Sequence, residues 1–279
     1  FSKRRSLTHG VIGTPDGVAL FLEWSKSMLQ AWTDAPNDRY RLWPVFPGFE
    51  SAFESNWHAK PAWTHTVDAH QLHVAARQRD PSQRSYEVTN AYLKGFEPLP
   101  KLDDTISVMI CVVPDEVYQN CRPESRILDA IGQAMSKERI RSRRAGQLEM
   151  FDEFSQEQYQ LSIDFRRQIK ARTMQYGVPL QILRESTLRI GDVNKFRERS
   201  LTPMSNRMWN ICTALYYKGG GKPWRLASAR DGVCYVGLAF RRTEIKEDGR
   251  TAACAAQMFL NDGEGVVFLG QYGPWYSPS

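Results

Sequence analysis

The chain has no apolar run approaching the ~20 residues that a bilayer-spanning helix needs, and its mean hydropathy is −0.50. A membrane span is therefore not expected; the cysteine usage, taken next, favours a reducing cytoplasmic location. The five cysteines (Cys111, Cys121, Cys212, Cys234 and Cys254) are odd in number and include no CxxC pair. That argues against a disulfide framework and for reduced thiols acting as small buried hydrophobes. No period of 20–50 residues recurs, which sets repeat architectures aside. No Ser/His/Asp or Cys/His order suggests an activated nucleophile. What remains is a 279-residue chain with 42% hydrophobic and 24% charged residues, enough for one large domain or two ordinary ones.

Charge is unevenly spread. The chain carries 37 Lys/Arg against 31 Asp/Glu, a net of +6. From Lys137 to Arg225 there are 18 Lys/Arg and nine Asp/Glu, a net of +9, which leaves −3 elsewhere. Such an imbalance points to an anionic partner for one region; a solvated basic face would produce the same count.

Hydrophobic periodicity predicts a strand over Leu7–Gly13, a turn at Gly13-Thr-Pro-Asp-Gly17 and a helix over Val18–Trp32. Residues 37–100 show little periodicity and read as irregular structure with short helices. Thr105–Val113, ended by Pro114, reads as a strand buried on both faces of a parallel sheet, followed by a loop or helix near Val117–Gln119. A helix is predicted over Ile127–Met135, a basic patch over Lys137–Arg144, and an amphipathic helix over Leu161–Tyr176 stopped by Gly177 and Pro179. A strand (Pro179–Leu183) and a helix (Met208–Tyr217, ended at Gly219) follow. The last part reads as antiparallel strands, Gly232–Phe240, Ala252–Leu260 and Val266–Leu269, the latter two joined by a turn at Asn261–Gly265. Alternating strands and helices up to Lys222 imply a Rossmann-like α/β layer.

Several constellations dissolve on inspection. His58, His65, His70 and His73 fall within sixteen residues, but their spacing matches no ligand set. Gly219-Gly-Gly-Lys222 follows a helix and precedes Pro223-Trp224, the reverse of a phosphate loop's setting. Asp103/Asp104 and Asp262-Gly-Glu264 fall where turn chemistry already favours Asp and Gly.

One group is different. Arg166 and Lys170 are four apart, so a helix puts both on one face. Gln181 follows beyond the Gly177/Pro179 break, and Lys218 closes the next helix. Were these elements to converge, an anion there would receive two point charges, a planar fork and an amide donor, a set suited to a terminal phosphate. An ordinary helix with an exposed basic face fits the same spacing.

The order of segments resembles the MID domain and the opening of the PIWI domain of Argonaute proteins, above all the short prokaryotic Argonautes. The likeness rests on Trp43-Pro-Val-Phe-Pro-Gly-Phe49, on Ile106–Pro114 with Asp115-Glu-Val-Tyr118, on Ile169-Lys-Ala-Arg172 with Gly177-Val-Pro-Leu-Gln-Ile-Leu183, and on Asn210–Trp224. The resemblance implies a MID-like guide-end-binding domain over 1–222 and the first strands of an RNase H-like PIWI domain over 223–279. A continuation beyond Ser279 is expected, because 57 residues are too few for such a domain.

It further implies that Lys170, Gln181 and Lys218 bind the 5′-phosphate of a guide RNA. Arg166 stands where many members carry an aromatic residue or His, and Ala214 falls near a further expected lysine. Mg²⁺ at the guide 5′-phosphate belongs to the same expectation. In slicing members the first PIWI strand carries a catalytic aspartate; here Ala239 occupies that place in Tyr235-Val-Gly-Leu-Ala-Phe240, so no slicing and no catalytic metal are expected. The implied partners are a guide RNA, target single-stranded DNA and an APAZ-domain protein carrying a sirtuin-like or TIR NADase or a nuclease. Two alternatives stand beside this: an active guided endonuclease, and a basic α/β interaction protein that takes no guide.

Overall fold

The computed structural model describes residues 4–34, 41, 44–102, 105–144, 157–190, 202–224, 228, 230–242, 251–260 and 265–268. The chain divides between Gly221 and Lys222 into two compact units.

The larger unit is mixed α/β around a four-stranded parallel sheet. Its strands are β1 (His9–Gly13), β2 (Trp63–Thr66), β3 (Val108–Val113) and β4 (Leu180–Arg184), in the spatial order β2-β1-β3-β4. Every neighbour is parallel, with His9 opposite Val108 and Met109 opposite Leu180. This arrangement is compatible with a Rossmann-like fold.

All six residues of β3 are buried, because helices cover both faces of the sheet. Val108, Ile110 and Val112 point into one apolar cluster with Phe21, Trp24, Met208 and Leu215. Met109, Cys111 and Val113 point into the other, with Leu72, Val88, Tyr92, Phe165 and Ile169. The two-residue period of a strand makes one apolar run serve two cores.

Helix starts are set by short polar side chains. In α1 (Pro15–Ser27) the Thr14 hydroxyl accepts from the Gly17 amide at 3.0 Å, with Pro15 in the first turn. The sequence expectation of a turn at 13–17 is thereby corrected: Thr-Pro-Asp is a helix start. The helix ends at Ser27 rather than Trp32, whose backbone instead bridges to Phe46.

Residues 37–100 are also more regular than periodicity suggested. Besides β2 they hold α2 (Phe49–Phe53), α3 (Ala69–Ala76) and α4 (Pro81–Leu93). Asp68 caps α3, and Asp80, with Pro81 behind it, caps α4. Phe46 and Phe49, from the stretch that carried part of the Argonaute likeness, are fully buried; Trp43 lies outside the described residues.

After α5 (Asp115–Asn120) the predicted helix over Ile127–Met135 is absent. Its periodic apolar residues face no core: Leu128 is 98% exposed, and Gly132 takes a left-handed φ of 78°. The basic patch at 137–144 is a helix, α6 (Lys137–Arg144). Helix α7 (Phe165–Thr173) starts four residues later than predicted, where the Asp164 carboxylate accepts from the amides of Arg166 and Arg167. A 3₁₀ turn then reaches Gly177, at φ 67°. A short helix, α8 (Glu185–Leu188), follows β4.

Helix α9 (Met204–Lys218) is capped from a distance, the amides of Met204 and Ser205 donating to the Asp34 carboxylate. At its other end the Gly220 amide bonds the Tyr217 carbonyl and the Gly221 amide the Tyr216 carbonyl, with Gly220 at φ 89°. This paired closure needs a left-handed residue just past the helix. The triple glycine is thus a helix terminator.

The smaller unit contains a three-stranded antiparallel sheet of β5 (Tyr235–Arg242), β6 (Thr251–Phe259) and β7 (Gly265–Phe268), in chain order. Ala239 lies in β5 opposite Ala255, beside a register shift between Ala239 and Phe240. Asp103, Asp104, Asp262 and Glu264 lie outside the described residues.

Candidate functional site

Lys218, Gln181, Lys170 and Arg166, distant in sequence, are brought together around the edge strand β4. Helix α9 packs on one face of the sheet through Met208, Ile211 and Leu215. Helix α7 packs on the other through Phe165 and Ile169, which leaves Arg166 and Lys170 exposed. Each helix buries an apolar stripe and presents its cations outward, and β4 lies between them.

The Lys218 ammonium is half-buried and donates to the Gln181 side-chain oxygen and to the Leu180 carbonyl, both at 2.6 Å. Its pKa is lowered from 10.5 to about 8, chiefly by burial, then by the charges of Lys170 and Arg166. None of the three cations makes an ion pair with a carboxylate among the described residues. Elsewhere the protein does pair its cations, as Arg184 does with Asp115 and Arg77 with Glu116.

Gln181 is placed differently from the simple expectation of an amide donor. Its oxygen holds Lys218, and its NH₂ group donates to the Ile182 carbonyl at 3.0 Å. One amide hydrogen of Gln181 and one ammonium hydrogen of Lys218 remain for a ligand. Gln181 therefore orients the lysine and keeps one amide hydrogen in reserve.

One contributor escaped sequence reasoning: the Leu180 carbonyl, which accepts from Lys218, is a backbone group with no side-chain signature. Ala214, near the position of a further expected lysine, lies in α9 and is partly buried.

The donor set does not suit a metal. Mg²⁺ takes oxygen ligands, whereas this site offers two ammonium groups, a guanidinium and an amide whose oxygen already accepts from Lys218. Among the described residues no group of three His, Cys, Asp or Glu could hold a metal ion. The histidines are dispersed: His73 pairs with Glu116 at 2.7 Å, and His65 lies in β2. Cys111, Cys121 and Cys212 are buried, with thiol pKa values raised by burial, that of Cys121 to about 12. Cys234 is exposed. Among the described residues no helix is long and apolar enough to cross a membrane.

What this geometry does chemically is concentrate positive charge at one point with hydrogen-bond donors left over. A phosphate monoester supplies up to two negative charges and three acceptor oxygens, and so complements it. No protein-family model matches the chain, and no curated protein matches it either.

Proposed function

We propose that the larger unit anchors the 5′-phosphate of a nucleic-acid strand at Lys218, Lys170, Gln181 and Arg166. In this reading the protein is a short-Argonaute-like guide-loading subunit, with residues 1–222 as the guide-end-binding domain and residues 223–279 as the opening of an RNase H-like domain. A guide RNA supplies specificity by pairing with invader single-stranded DNA. Pairing then activates an APAZ-domain partner bearing an NADase or nuclease effector, in prokaryotic immunity. The chain itself does not cut, since Ala239 stands where a catalytic carboxylate is expected.

The observation that supports this reading is the convergence of three cations without a carboxylate, one of them half-buried with its pKa pulled down to about 8. An unpaired charge cluster of this kind destabilises the free protein and is relieved by an anion. Exposed lysines on a solvated surface do not show such a shift.

Fluorescence anisotropy with a short single-stranded RNA bearing either a 5′-phosphate or a 5′-hydroxyl tests the anchor. The phosphorylated strand should bind at least about tenfold tighter, since one charge-assisted hydrogen bond contributes about 1.5–3 kcal/mol. Equal affinity for the two strands would remove the assignment. Incubation of the loaded protein with complementary DNA and Mg²⁺ or Mn²⁺ tests the inactive reading, which guided cleavage by this chain alone would overturn.

A further inference from the structure

A second basic feature stands apart from the Lys218 cluster. A cavity of about 370 Å³ is lined by Arg79, Pro81, Arg84, Pro123, Ile127 and Ala130, along with Ser125. It lies between the start of α4 and the segment after α5, within the larger unit. Its volume falls in the range of small-molecule sites.

Arg84 is 4% exposed, yet its hydrogen-bonding capacity is only partly used. One Nη donates to the Gln78 carbonyl at 2.6 Å and, at a long 3.5 Å, to the Arg79 carbonyl, while Nε has no partner. Asp80 is the nearby carboxylate, but it is engaged elsewhere. Its oxygens accept from the amides of Ser82, Gln83 and Met135 and from the Tyr159 hydroxyl. Arg84 forms no ion pair among the described residues. Arg79, exposed, reaches across to the Ala130 carbonyl at a long 3.4 Å, a contact easily exchanged for a better acceptor.

Burial lowers the Arg84 pKa and the nearby Asp80 charge only partly offsets it, and a guanidinium held out of water without a direct ion pair gains from a further anion. Its planar fork matches carboxylate and phosphate oxygens. Pro81, Pro123 and Ala130 give the cavity apolar walls, and proline rings offer flat surfaces to an aromatic ring.

We propose that this cavity binds a nucleoside monophosphate, its phosphate held by Arg84 and Arg79 and its base set against the proline walls. The site is separate from the strand-end anchor and does not depend on it.

Isothermal titration of the full chain carrying Lys170→Gln and Lys218→Gln isolates the cavity from the first cluster. AMP should saturate this protein with a Kd below about 1 mM. Ribose 5-phosphate and inorganic phosphate should bind at least about tenfold more weakly, because they lack the ring whose burial adds more than one decade of affinity. Ala130→Phe, which fills the cavity, should abolish AMP binding while Tm is retained. Arg79→Gln, at an exposed position that folding does not require, should weaken it severalfold. Absence of saturation by AMP in the Lys170/Lys218 double variant overturns the proposal and leaves the strand-end anchor standing. AMP binding that survives both Ala130→Phe and Arg79→Gln also overturns it.

Discussion

Lys218 and Gln181 meet at 2.6 Å, ammonium to amide oxygen, although one closes a helix on one side of the sheet and the other stands 37 residues earlier in the edge strand. The contact fixes the lysine without neutralising it. A carboxylate in the glutamine's place would make an ion pair; an amide leaves the charge available to a ligand.

Gln181→Glu changes the charge at nearly constant shape and should convert the site into a closed ion pair. Affinity for a 5′-phosphorylated strand is expected to fall by about tenfold or more, the value of one charge-assisted contact. Tm should be unchanged or raised. Anisotropy and thermal melts on the same preparation check both, and retained phosphate preference would show that Gln181 does not adjoin the ligand.

The lowered pKa of Lys218 has a definite sign. Between its unfolded value of 10.5 and its folded value of about 8, the unfolded chain binds a proton that the folded chain does not. Stability from this group is therefore present above pH 10.5 and lost as pH falls through 8. A bound phosphate reverses the loss by favouring the charged lysine. The rise in Tm on adding a 5′-phosphorylated strand should be greater at pH 7 than at pH 9, and Lys218→Gln should flatten that difference.

His9 gives a second pH dependence at the other end of the scale. It is buried in β1, stacks on Trp57 with ring centroids 4.3 Å apart, and its Nε2 has no hydrogen-bond partner. Burial, then the charge of His58, lowers its pKa from 6.5 to about 4. The unfolded chain takes up the proton first, so stability is lost as pH falls from 6.5 through 4, by at most about 3 kcal/mol. His9→Phe should keep the stack and reduce the slope of Tm against pH in that window.

The three glycines after Lys218 should differ in their tolerance to alanine. At Gly220 the left-handed backbone makes the cost about 1 kcal/mol, with no clash, the nearest atoms being 3.7 Å away on Arg4. At Gly219 an added Cβ would fall 2.1 Å from the Leu7 side chain, and at Gly221 2.3 Å from the Tyr216 ring. Both should cost more than Gly220→Ala, about 1–3 kcal/mol, as overpacking does. Chemical denaturation ranks the three.

Much of this was legible in the sequence where one physical rule acted alone. The run Val108–Val113 announced a doubly buried strand because every residue in it is apolar. Arg166 and Lys170 announced a shared helix face by their spacing. The strand Trp63–Thr66 was not legible, since it is an edge strand whose exposed Thr64 and Thr66 break any apolar run. Ile127–Met135 misled in the opposite direction, for helical periodicity forms no helix where nothing packs against it. The meeting of α7 and α9 around β4 depends on how two helices cover opposite faces of one sheet. Residue spacing within either helix does not encode it, and the role of the Leu180 carbonyl is carried by backbone alone.

The bond from Lys218 to that carbonyl has a consequence for self-association. Among the described residues strand β4 is one of the two margins of the sheet, and an unpaired margin is a template on which a second copy can add a strand. The lysine occupies one of its acceptors with a charged group that another chain cannot readily displace. Replacing Lys218 by a short apolar residue removes the proposed anchor and also leaves that margin undefended. The purified variant should then show concentration-dependent assembly in solution, and recovery on Lys218→Arg would trace the effect to the charge that guards the margin.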